Sequence, residues 1–139
     1  MSQILEFTKL SDARASLKSI YDTAGSHIPV NLQREGDEPL TIVHREDLQN
    51  ALSALVKVKP VVSILKNGSA SIWLEGLPIS AEGKNLSLAE KQLIKALRAY
   101  AETWVEELRY AASHRSNWAL VNLIIISDDE TLQKIILGE

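Results

Sequence analysis

The spacing of apolar residues changes period several times along the chain, and each change marks an element. Residues 4–8 (ILEFT) alternate at the two-residue period of a short strand. Ala13, Leu17, Ile20 and Tyr21 then recur at helical spacing, with Ser11 placed as the N-cap, Asp12 in the first turn and Gly25 as the stop. HIPVNLQ and PLTIVH are β-rich runs separated by the polar loop Arg34-Glu35-Gly36-Asp37-Glu38, which predicts a hairpin. A second helix follows, with Glu46 and Asp47 in its first turn, Leu48, Leu52, Leu55 and Val56 on one face, and Pro60 as its terminator.

Beyond Pro60, VVSILK (61–66) and ASIWLEG (70–76) flank Asn67-Gly68, a strong short-range hairpin signal. LPISAEG can add a third short strand. Ser87-Leu88-Ala89-Glu90 matches a capping box opening the longest helix, whose stripe is Leu93, Leu97, Tyr100, Ala101, Trp104, Val105, Leu108 and Ala112. WALVNLIII is apolar on nearly every side and belongs in a core. Ser127-Asp128-Asp129-Glu130 reads as a second capping box opening TLQKIIL, which Gly138 stops. The expected fold class is α+β: a small N-terminal sheet with flanking helices (1–59), followed by a β-hairpin and a helical C-terminal domain (60–139).

An apolar content of 45% over 139 residues suffices for a real core. The absence of cysteine removes disulfides, thiolate metal sites and cysteine nucleophiles, and fits a reducing compartment. The first residues carry no basic start followed by a long apolar run, and ALVNLIII falls far short of the roughly 20 residues that span a bilayer, so a soluble cytoplasmic protein with no membrane role is expected. The net charge of −3 argues against a generally basic nucleic-acid binder. Any DNA contact must come from a local cluster, and Lys9, Arg14 and Lys18 form the one early concentration of cations.

Little in the chain suggests catalysis. Asp128-Asp129-Glu130 can be read as a metal or acid–base cluster, but acids at a helix start satisfy free N–H groups. His27, His44 and His114 stand far apart in sequence without a ligand-type spacing, and no nucleophile elbow, P-loop or dinucleotide fingerprint occurs. The expectation is a non-enzyme with no cofactor and no metal. Aromatic residues beside cations form a different signal. Trp118 follows His114-Arg115, and Trp73 alternates with Ile72 and Leu74 in a strand, so these four residues are candidates for a protein-binding surface. Trp104 sits on the helical stripe and belongs to the core.

The order strand, helix, hairpin, helix over the first 57 residues resembles the N-terminal domain of Phd/YefM-type antitoxins. SDAR followed by Leu17 is similar to that family's Ser-x-x-(Glu/Asp)-Ala-Arg-x-x-Leu pattern, and PVNLQREGDEPLTIV to its Pro-Val-x-Ile-x-Arg-x-Gly-x-Pro stretch. HREDLQNAL resembles the start of the following helix. The resemblance implies a homodimer that represses its own operon by binding operator DNA. Arg14 and Arg34 would contact DNA, with Lys9, Ser11 and Lys18 as phosphate contacts. Two departures stand out: Asp37-Glu38 lengthens the hairpin loop and adds negative charge beside Arg34, and His44 stands where a Ser/Thr-like cap is usual.

Residues 61–112 resemble, through ISAEGKNLSLAEKQLIKAL and element order, the core of HicB-like antitoxin domains. The whole chain resembles a branch of Phd-like antitoxins, which implies a type II antitoxin that masks a cognate protein toxin similar to RelE-like ribonucleases; Trp73, His114, Arg115 and Trp118, picked out by their chemistry, are the candidates for the toxin-binding surface. A competing reading keeps only protein contact: an immunity or adaptor module without DNA binding, favoured by the acidic balance. A small hydrolase built on the late acidic cluster ranks last.

Overall fold

A computed structural model describes residues 4–138. The fold is α+β, with two three-stranded sheets and seven α-helices among the described residues. The chain divides into two compact units, Met1–Asn50 and Ala51–Glu139.

In the first unit, β1 (Leu5–Phe7) pairs in parallel with β2 (Val30–Leu32), which pairs antiparallel with β3 (Leu40–Ile42). The parallel pairing requires a crossover, and α1 (Leu10–Ala15) and α2 (Leu17–Gly25) supply it. One continuous helix is predicted from the pattern, but Ser16 leaves helical geometry and splits it. Ser11 lies inside α1 and does not cap it; Lys9 holds the N-cap position without a side-chain cap bond. Ala13, Ile20, Ala24 and Val30 form the small buried core, with Leu5, Phe7, Leu32 and Ile42 packed against it. The dividing line between the units runs through α3 (Arg45–Leu55), whose Leu52 is buried. Pro60 does not stop this helix, which ends five residues earlier; it opens the next strand, where a missing N–H is tolerated.

The second unit is a β-meander laid on a long helix. β4 (Pro60–Ile64), β5 (Ala70–Leu74) and β6 (Ser80–Gly83) pair antiparallel in that order. The Asn-Gly signal holds, with Gly68 at φ +90° and the Asn67 side chain accepting from the Ser69 amide. α4 (Leu86–Glu106) carries the stripe: Leu93, Leu97, Tyr100 and Ala101 are buried with Ile72 and Leu74 of the sheet and Leu120, Val121 and Ile124 of α6 (Trp118–Ile126). Leu108 and Ala112 lie beyond its end, in a 3₁₀ turn (Leu108–Tyr110) and the short α5 (Ala112–Arg115). Leu132 and Ile136 of α7 (Asp129–Leu137) complete the core.

Both capping boxes are displaced. α4 is capped by Asn85, whose Oδ1 accepts from the Leu88 amide at 2.9 Å, not by Ser87. The earlier start reflects a tight entry: a Cβ on Gly83 would lie 2.4 Å from the Ala89 nitrogen, so β6 meets the first turn of α4 at backbone distance. Asp128, not Ser127, caps α7 by accepting from the Thr131 amide at 2.7 Å. Its hydrogen bonds to Thr131 hold the Asp128 carboxyl below the usual carboxylate range. A depressed carboxyl contributes stability above its unfolded value, and the contribution is lost as pH falls through the folded value.

Loss of the α4 cap tests this assignment. Asn85→Ala should destabilise the protein by about 1 kcal/mol in denaturant melts, while Ser87→Ala should be near neutral. The reverse order would restore the Ser87 capping box.

Candidate functional site

The five cations and hydroxyls expected to meet nucleic acid all belong to the first unit and all are exposed, but they differ in freedom. Arg14 closes α1 and has no hydrogen-bond or ion-pair partner among the described residues, so its guanidinium keeps five donors available. Lys9 precedes α1 and Ser11 sits in its first turn. Lys18 lies past the break at Ser16, so Arg14 and Lys18 do not share one continuous helix face as their four-residue spacing predicts. Its ammonium reaches Asp22 at 3.2 Å. Arg34 donates its Nε–H to Asp37 within the hairpin loop. The acidic insertion therefore engages the arginine that the resemblance would give to DNA.

The four residues expected to bind a protein partner fall in the second unit and divide by role. On β5, Ala70, Ile72 and Leu74 face the core, which turns Trp73 to the opposite face with 42% exposure, between Val61 and Ser80 in register. Trp118 opens α6 with 51% exposure, and Arg115 is exposed at the end of α5. His114 is half-buried and engaged in structure: its Nδ1 pairs with the Tyr100 hydroxyl at 2.8 Å, and its carbonyl accepts from Trp104 Nε1 at 2.8 Å. Asn117 also donates to the Tyr100 hydroxyl at 2.8 Å. His114 thus fastens the turn after α4 to that helix.

One apolar surface is not announced by the sequence pattern. β4 is an edge strand, and Val62 and Ile64 remain exposed although their register partners Ile72 and Ala70 are buried. Leu65 extends this exposed row. The signal is the run VVSILK itself, which has the look of an ordinary strand until the sheet order shows that it has one neighbour.

The late acids are engaged in structure. Asp128 caps α7, and Glu130 pairs with Lys134 at 3.4 Å. Asp129 accepts from Arg98 Nε at 3.1 Å and Nη2 at 2.7 Å. Arg98 also donates to the carbonyls of Ile124 and Ser127, so one guanidinium closes the end of α6 and binds the start of α7.

His27 and His44, distant in sequence, are stacked, with ring centroids 4.1 Å apart and an interplanar angle of 15°. His27 holds φ +66° at the end of α2, where its amide bonds the Ala24 carbonyl and the Ile28 amide bonds the Thr23 carbonyl. Those two bonds make a Schellman motif with histidine in the left-handed position that glycine usually takes. His27 Nδ1 lies 2.9 and 3.0 Å from the two Asp47 oxygens. His44 does the capping work expected of a Ser or Thr, its Nδ1 accepting from the Glu46 amide at 3.1 Å.

A family model, PHD-like, described as antitoxin of toxin–antitoxin, RelE / RelB, TA system, matches residues 1–137. No curated protein matches the chain. Among solved structures, the fold is similar to a chain from Syntrophomonas wolfei subsp. wolfei described as an antitoxin part of a candidate toxin/antitoxin system. The TM-score is 0.69 over 93% of this chain and 94% of that one, at 14% sequence identity, a likeness of fold. Among the described residues no helix is long and apolar enough to cross a membrane.

The His114 fastening has a stability consequence. Tyr100→Phe removes the hydroxyl that both His114 and Asn117 address, and should cost roughly 1 kcal/mol in chemical denaturation. An unchanged midpoint would mean that the turn after α4 holds without it.

Proposed function

The chain belongs to the family of antitoxins of RelE/RelB toxin–antitoxin systems, and from that premise we propose that it neutralises a RelE-like protein toxin by direct, stoichiometric binding through its second domain (60–139). The family match over residues 1–137 carries this reading. The second unit supports a folded docking surface over a segment that orders on its partner, because it owns a buried core of fifteen residues and its helices α4 and α7 are capped by Asn85 and Asp128. Trp73 and Trp118 are its exposed aromatic anchors, and Arg115 supplies a cation near Trp118 in sequence. Inhibition of this kind masks the toxin and requires no chemistry from the antitoxin, which we read as a cytoplasmic non-enzyme.

The first domain (1–59), in the same reading, forms a homodimer and represses its own operon. Arg14 is the residue best suited to read operator DNA, since it is exposed and its donors are uncommitted among the described residues. Lys9 and Ser11 flank it as phosphate contacts. Lys18 and Arg34 would first have to leave Asp22 and Asp37. Those two ion pairs, with a net charge of −3, favour a second reading in which the protein binds toxin alone and has no DNA role.

Gel-shift titration with the upstream region of its own operon separates the two readings. Binding that weakens steeply with salt and falls roughly tenfold or more in Arg14→Ala supports repression. No shift at low salt would leave the toxin-binding role alone. For the toxin, Trp73→Ala and Trp118→Ala should each weaken the complex by about tenfold or more, with the fold unchanged by circular dichroism. Undiminished affinity in both variants would move the interface elsewhere on the chain.

A further inference from the structure

We propose that His27, His44 and Asp47 form a binding site for a divalent transition-metal ion of the zinc class. One nitrogen from each imidazole and one carboxylate oxygen lie within 4.8 Å of one another. This donor set, two imidazoles and one carboxylate, is suited to zinc, leaving a fourth position for water.

The local backbone brings these groups together. His27 occupies a left-handed position at which a side chain is disfavoured, so placing histidine there costs backbone energy that glycine would avoid. That position brings its ring to the start of α3, where His44 ends the preceding loop and Asp47 sits in the first turn. The His27 side chain is 52% exposed and that of Asp47 45%, so an ion can reach the cluster without opening the core. His27 Nδ1 and the Asp47 oxygens stand 2.9–3.0 Å apart. Two ligands on a tetrahedral zinc with bonds of about 2.0–2.1 Å are separated by roughly 3.3 Å, so an ion can come between this pair after a shift of a few tenths of an ångström.

His44 has further to move. Lone pairs of an imidazole lie in the ring plane, and two planes only 15° apart cannot both point at one ion. Ion binding must therefore turn the His44 ring out of the stack and release the Glu46 amide, whose bond to Nδ1 is exposed. Both costs set the expected affinity in the micromolar range, below that of a closed structural zinc site.

Zinc titration of the full-length, tag-free protein, followed by calorimetry and by the imidazole nitrogen resonances, tests the site. One ion per chain is expected, with a micromolar dissociation constant and shifts at His27 and His44 but not at His114. His27→Gly suits the left-handed backbone and should keep or raise the melting temperature while weakening zinc binding at least tenfold. His44→Asn retains an acceptor for the Glu46 amide and Asp47→Asn is isosteric; each should weaken binding to a similar extent. Glu82→Gln, in the second unit, should bind as the parent does. No binding below millimolar zinc, shifts confined to His114, or full affinity in His44→Asn would each overturn the proposal.

Discussion

The second unit depends on burial of one face of α4. Ala89, Leu93, Ile94, Leu97, Tyr100 and Ala101 are buried along this helix, with β5 residues and α6 residues closing over them. Each large side chain in such a position contributes roughly 1.5–3 kcal/mol relative to exposure, against roughly 0–1 kcal/mol for a typical exposed ion pair. The polar contacts serve to fix the geometry of that burial. Asn85 and the close approach at Gly83 set where the helix starts, Tyr100 and His114 hold the turn that follows it, and Arg98 ties α4 to α6 and α7.

That architecture bears on how an antitoxin of this family can act. A disordered inhibitory segment must be ordered by its toxin, and the ordering entropy reduces the affinity obtained per unit of interface. A unit with its own core presents its contacts already positioned. Trp73 is held outward because Ile72 and Leu74 are held inward, so the same alternation that builds the core exposes its indole. The first unit has a smaller core, of four buried residues among those described.

The fold was legible where periodicity decides it. Strand and helix runs, the Asn67-Gly68 turn and the acid-rich start of α7 all follow from local pattern, and the antitoxin resemblance of the first 57 residues rests on the same kind of local signal. Boundaries were less legible, because several polar residues near a helix start can cap it and only tertiary packing selects one. Asn85 prevailed over Ser87 because β6 enters α4 closely, and Asp128 prevailed over Ser127. The site was legible only in part. Arg14 and Trp73 stand exposed and Asp37 engages the Arg34 beside it, as their patterns suggest, whereas the bond from His114 to Tyr100 and the stacking of His27 on His44 are products of chain geometry that no spacing rule encodes.

Amide hydrogen exchange on the full-length protein, alone and with the product of its neighbouring gene, tests the central claim most directly. If the folded second unit masks the toxin, protection should rise on β5 and the start of α6, around Trp73 and Trp118. It should add to amides that already exchange slowly in the free protein. Protection confined to residues 4–50, or fast exchange throughout 60–138 before the partner is added, would contradict the account.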